Sequence, residues 1–202
     1  MEAEAQRFSI CLFTPEIPAA DEARKIEALL ASPSVGRVHL RHPALTDEEM
    51  ETILSAISPE LRPRVTLHSC FAAACGDASV SPSIHLNGRC PVPPQEYEGR
   101  YSRSFHSLGE LMACRDARIS YATLSPVYDS ISKAGYEGRD FSLPESTPFP
   151  VIALGGVTPA RIPDLKGRGF HGAAMLGAVP WGGDPDDIKR FLTDIEKYLR
   201  LC

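Results

Sequence analysis

Two short stretches hold residue types suited to handling a phosphate. SPVYDSISKAGYEG, residues 125–138, sets Ser130, Ser132 and Lys133 side by side, with Gly135 and Gly138 behind them. Hydroxyls and an ammonium on a glycine-hinged loop suit a lid over a phosphate or pyrophosphate. ALGGVTP, residues 153–159, sets Gly155 and Gly156 just before a helix start at Thr158. Paired glycines let backbone N–H groups approach an oxyanion, and a helix N-terminus adds a favourable dipole.

Histidines form a third pattern. Five of the six fall near the C-terminal ends of strand-like runs. His39 and His42 flank Arg41, and His68 precedes Ser69 and Cys70. His85 precedes Asn87 and Arg89, and His106 sits between Ser104 and Ser107. An imidazole takes and gives a proton near neutral pH, so His106 is the expected general acid/base. Arg41 has the planar fork that grips a carboxylate or phosphate. His68, Cys70, Cys75, His85 and Cys90 contain zinc-ligand types, but their spacings match no finger or ribbon, and no metal site is expected. Magnesium prefers carboxylates, and LHSC (67–70) and HLNGRC (85–90) offer none.

Such residues need strands to aim them. Strand-like runs read at 8–14, 35–42, 64–69, 83–88, 100–107, 119–127, 149–156 and 171–179. Between them lie helical patterns at 22–32, 46–57, 108–116 and 158–169, and one closes the chain at 184–200. Thr46 with Glu49 reads as a capping box, Asp184 as an N-cap, and Thr158 as an N-cap with Pro159 at the first helical position. Three prolines in RCPVPPQEYEGR (89–100) leave no room for a full helix. The alternation implies parallel strands joined by crossovers. Eight repeats predict a compact (βα)₈ TIM barrel with some short or degenerate helical connections; a doubly wound open sheet is the alternative. We read residues 1–202 as a single domain. The polar strand ends then share the C-terminal mouth, where Gly177 joins Gly155 and Gly156.

The bulk numbers exclude several classes. Hydrophobic residues make up 43% of the 202, enough for a real core. A net charge of −5 argues against a nucleic-acid binder. No apolar run approaches the roughly 20 residues of a membrane helix. The N-terminal MEAEAQRF lacks the basic and apolar regions of a secretory signal, and six scattered cysteines read as reduced thiols, so the expected location is cytoplasmic. Met112, Met175 and Trp181 read as packing residues. The stunted connections at 70–80 and 90–99 leave barrel flank that a homodimer would cover.

Together VHLRHP (38–43), SIHLNGR (83–89), RSFHSLGEL (103–111), YATLSPVYDSISKAGYEG (121–138), ALGGV (153–157) and GAAMLGAV (172–179) resemble the thiamine phosphate synthase/TenI family. That resemblance also implies a (βα)₈ barrel. In the synthase branch it implies coupling of a pyrimidine pyrophosphate to thiazole phosphate. Arg41 would then face the pyrimidine, and Ser130, Ser132 and Lys133 the pyrophosphate. Gly155 and Gly156 would receive the thiazole phosphate, and Ser104 matches the strand-five serine. The synthases hold magnesium with an Asn-Asp pair and an acidic residue, where this chain has His68-Ser69 and Gly88-Arg89-Cys90. A strand-two lysine also gives way to the region of Pro43.

The TenI branch implies a thiazole tautomerase, which shifts a proton and needs no metal. Its SVHS motif is similar to SFHS here, placing His106 on the catalytic histidine. The expectation is therefore a tautomerase-like isomerase with a small thiazole phosphate substrate and no cofactor. A thiamine-phosphate synthase with magnesium is the alternative, and a non-catalytic phosphate-binding regulator the third reading.

Overall fold

The computed structural model describes residues 7–77, 79–129 and 137–201. Eight parallel strands close into a barrel in chain order. They are β1 (Ser9–Phe13), β2 (Arg37–Leu40), β3 (Val65–Leu67), β4 (Ser83–Leu86), β5 (Tyr101–Phe105), β6 (Ile119–Leu124), β7 (Val151–Ala153) and β8 (Gly172–Met175). β1 pairs β8 through Cys11 with Ala174, which seals the ring. Each strand is shorter than its sequence pattern, because apolar residues continue past the ladder into the loops.

Among the described residues five α-helices cover the outside: α1 (Glu22–Ala31), α2 (Asp47–Ser55), α3 (Leu108–Ala113), α4 (Ile162–Gly167) and α5 (Pro185–Leu199). Ile26, Leu29 and Leu30 of α1 and Ile188, Phe191 and Ile195 of α5 are buried at helical spacing. Thr46 forms the expected reciprocal cap with Glu49. Asp184 accepts from the N–H groups of Asp186 and Asp187, both at 2.9 Å.

The expected helix at 158–169 is corrected. Thr158 makes no side-chain cap, Pro159–Arg161 form a 3₁₀ turn, and α4 starts at Ile162. Pro163 has no N–H to donate, so a continuous helix from Thr158 would lose an internal bond. β3 and β4 are joined through a 3₁₀ turn at Phe71–Ala74, and β4 and β5 without a helix. Residues 137–150, before β7, are likewise irregular.

Two separate apolar clusters follow from the strand alternation. Outward residues such as Leu12, Leu40, Leu67 and Leu86 pack under the helices. Cys11, Phe13, Ile152 and Ala174 form their own cluster inside the ring. Met175 and Trp181 are buried as expected; the Trp181 indole N–H donates to the Phe13 carbonyl at 2.8 Å. The five described cysteines are unpaired. No described helix is long and apolar enough to cross a membrane.

Candidate functional site

At the C-terminal mouth lies a cavity of about 400 Å³. Arg41, His68, Arg89, Ser104 and His106 supply polar lining, and Phe13, Leu154 and Leu176 form an apolar floor. β2 delivers Arg41, whose backbone N–H donates to Thr14 Oγ1 at 2.9 Å. Its guanidinium pairs with Glu16 at 2.9 Å. His106 follows β5 directly. Its Nδ1 lies 3.1 Å from both the carbonyl and the hydroxyl of Ser125. A carbonyl only accepts, so Nδ1 carries the hydrogen and the Nε2 lone pair is left free. Nε2 has no protein partner among the described residues. The structure thus brings Arg41, Ser104 and His106 to one cavity.

The glycine turn is placed differently from the expectation. Gly155 and Gly156 do not line the same cavity as His106. Both have positive φ, 97° and 64°, which turns the chain toward residues 126–129. A Cβ on Gly156 would lie 2.2 Å from the Asp129 carbonyl oxygen, so only glycine permits that approach. Val127 and Tyr128 donate to the Leu154 and Gly155 carbonyls at 3.0 Å each, zipping the two loops together. Gly156 instead borders a second cavity with Tyr128, Arg139, Thr158 and Arg161. Gly177 is exposed and one residue past Leu176, so it stands at the rim. The N–H groups of Gly155, Gly156 and Gly177 donate to no partner among the described residues. Ser130, Ser132 and Lys133 lie outside the described residues.

The described residues of this mouth do not fit magnesium. Among them no carboxylate lines the cavity, and the positions after β3 and β4 present His68, Ser69, Gly88, Arg89 and Cys90. A hard dication takes oxygen ligands, chiefly carboxylates, which these residues do not supply.

Below the mouth, three imidazoles converge inside the barrel. His39 and His85 are fully buried and His68 nearly so. His39 Nδ1 lies 2.9 Å from His68 Nε2, and the rings of His68 and His85 stack at 4.4 Å. Tyr121 Oη meets His39 Nε2 at 2.7 Å. Ser102 and Ser104 meet the two nitrogens of His85, each at 2.7 Å. Burial holds His39 and His68 well below the ordinary imidazole range, with the charge of His85 next, and burial pushes His85 down to about 3. All three are therefore neutral at pH 7.

Sequence reasoning placed these histidines at strand ends and missed their convergence. The signal was the alternation in RVHL and SIHL, which sets each histidine opposite two outward apolar residues. Of the zinc-ligand types weighed together from sequence, His68 and His85 meet here while the thiols stand apart. Cys70 Sγ contacts the Leu45 carbonyl and Cys75 Sγ the Phe71 carbonyl, so neither thiol reaches the imidazoles.

Residues 100–179 match a family model described as thiamine monophosphate synthase. Thiamine-phosphate synthase of Vibrio campbellii is 31% identical over 80 residues, 37% of this chain and 39% of that protein. The Salinibacter ruber thiamine-phosphate synthase is 35% identical over 86 residues, 40% of this chain and 38% of that protein. The matched stretch therefore spans about two fifths of the length of these relatives. Among solved structures, thiamine phosphate pyrophosphorylase from Bacteroides thetaiotaomicron superposes with a TM-score of 0.74 at 22% identity, covering 96% of this chain and 98% of that one. The Pyrococcus furiosus protein of the same name gives 0.71 at 15%, covering 97% of each. Such distant structural likeness speaks for the barrel alone, whereas the sequence match covers β5 to β8 and with them Ser104, His106 and the glycine turns: over residues 100–179 this chain is similar to thiamine monophosphate synthases.

Proposed function

We propose that this protein is an enzyme of thiamine biosynthesis that acts on a thiazole phosphate, coupling it to hydroxymethylpyrimidine pyrophosphate. The observation that carries the reading is the family match over 100–179, since the relatives found there are named thiamine-phosphate synthases. In the coupling, a ring nitrogen of the thiazole forms a bond to the pyrimidine methylene carbon as its bond to the pyrophosphate oxygen breaks. Arg41 and Arg89, both at the mouth, supply positive charge for the anionic substrates. The unpartnered amide of Gly177 at the rim suits the thiazole phosphate, with those of Gly155 and Gly156 in the turn after β7, outside the mouth cavity. Phe13, Leu154 and Leu176 give the rings an apolar floor.

A second reading is favoured by one feature of the mouth. Among the described residues it has an imidazole lone pair open at His106 Nε2 and no lining carboxylate, which suits a metal-free proton shift that aromatises a thiazole phosphate carboxylate. Here Nε2 takes the ring proton and returns it to another atom of the same ring.

Two incubations of the purified chain separate the readings. One supplies pyrimidine pyrophosphate and thiazole phosphate, with and without magnesium. The other supplies the thiazole phosphate carboxylate tautomer in deuterated water. Pyrophosphate release in the first supports the transferase. Proton exchange without pyrophosphate release, abolished by His106→Asn, replaces it with the isomerase. Binding of thiazole phosphate with neither reaction leaves a regulator and overturns both.

A further inference from the structure

We propose that the barrel interior is a transition-metal site in which His39, His68 and His85 hold one zinc-class divalent ion beneath the mouth. This holds whichever reaction the mouth performs.

One ring nitrogen from each histidine lies within 4.8 Å of the other two. Nitrogens about 2.0–2.1 Å from a tetrahedral zinc stand roughly 3.4 Å apart, so modest ring rotations complete the set. His39 Nδ1 and His68 Nε2 already face one another at 2.9 Å. An ion between them takes both lone pairs, and the rings part slightly.

The far sides of two of the rings are fitted for this arrangement. An imidazole ligand donates its other N–H to an oxygen, which sets its tautomer and orientation. Tyr121 Oη is placed for His39 Nε2 and Ser102 Oγ for His85 Nδ1, both at 2.7 Å.

The donor set also selects the ion. Three imidazoles with no carboxylate or thiolate suit zinc, cobalt, nickel or copper rather than magnesium or calcium. Three protein ligands leave one position open, as in catalytic rather than structural zinc sites. His68 and Ser104 line the mouth cavity as well as the cluster, so that open position faces the substrate space. Water or a substrate heteroatom is its natural occupant. The charge of Arg37 opposes a cation here. However, Arg37 is turned to the opposite end of the barrel, donating to the Pro63 carbonyl at 2.9 Å and to Ser83 Oγ at 2.8 Å. The alternative role for the cluster is a hydrogen-bonded polar core that binds nothing.

The test uses the full chain, stripped with a chelator and dialysed against zinc, with bound metal counted by elemental analysis. Cobalt in place of zinc reports the ligands by visible absorption. The expected result is one zinc per chain, a zinc-dependent rise in Tm, and four-coordinate cobalt bands without thiolate charge transfer. His68→Asn and His85→Gln should each weaken zinc binding roughly 100-fold or more, and Ser102→Ala roughly 10-fold through His85. Cys70→Ser and Cys90→Ser should leave it unchanged. Absence of stoichiometric zinc, retention of full affinity in His68→Asn, or thiolate bands in the cobalt spectrum would each overturn the site. Should a histidine variant fail to fold, the cobalt spectrum and metal count of the unsubstituted chain decide.

Discussion

The inside of this barrel has two unlike walls. β7, β8 and β1 turn Ile152, Ala174, Cys11 and Phe13 inward, an apolar cluster that needs no partners. β2 to β6 turn His39, Thr66, His85, Ser102, Ser104, Tyr121 and Thr123 inward, where nearly every polar atom is engaged by another. The apolar wall stabilises the fold simply by excluding water. On the polar wall, desolvation of imidazoles and hydroxyls offsets much of what their hydrogen bonds return. A barrel that needed only stability would fill both walls alike. The polar wall lies directly under Arg41 and His106 at the mouth cavity, which Ser104 also lines.

The largest expected difference between the walls is in acid. The three buried imidazoles have folded pKa values depressed below the unfolded value of about 6.5. Below that pH the unfolded chain binds protons that the folded chain refuses. Stability is therefore present above about 6.5 and is lost as pH falls, down to about 3 for His85. Each ring contributes a slope of about 1.4 kcal/mol per pH unit, about 4 for the three together in the metal-free chain. Urea unfolding at pH 7, 6 and 5 measures it; a flat profile would mean the rings are not neutral in the folded state.

Next in size, Phe13→Ala removes the largest side chain of the apolar wall and its stack on His39, with centroids at 4.3 Å. A loss of about 3–5 kcal/mol is expected in the same assay, with no change in the acid slope. Tyr121→Phe deletes the partner of His39 Nε2 on the polar wall and should cost about 1–3 kcal/mol, the penalty of a buried polar atom left alone. A cost near zero would show that water replaces the hydroxyl. Smallest is Ile152→Val, a single methylene on the apolar wall, at about 1 kcal/mol and with the mouth chemistry unaltered. A large activity change in that variant would mean the apolar wall also serves the substrate.

Much of this was legible in the chain. The alternation of strand and helix patterns gave eight repeats, and Thr46 and Asp184 marked helix starts because their side chains satisfy local N–H groups. Arg41, Ser104 and His106 were placed at strand ends, and all three reach one cavity. The helix at Thr158 was misread because a threonine before a proline looks like a cap, although the prolines at 159 and 163 break the first turns into a 3₁₀ piece. The glycine turn was read as an anion cradle, while its steepest constraint is the close approach of Gly156 to Asp129.

What the sequence determined alone was local: which segments are strands, where helices begin, and which residues stand at strand ends. Hydrogen bonding to near neighbours and the two-residue and 3.6-residue periods suffice for that. Only closure of the barrel decided that His39, His68 and His85 would meet. Residues on or just past three strands, 17 to 46 positions apart in the chain, converge through the parallel register of β2, β3 and β4. That register is set by packing around the whole ring, and no local window of sequence contains it.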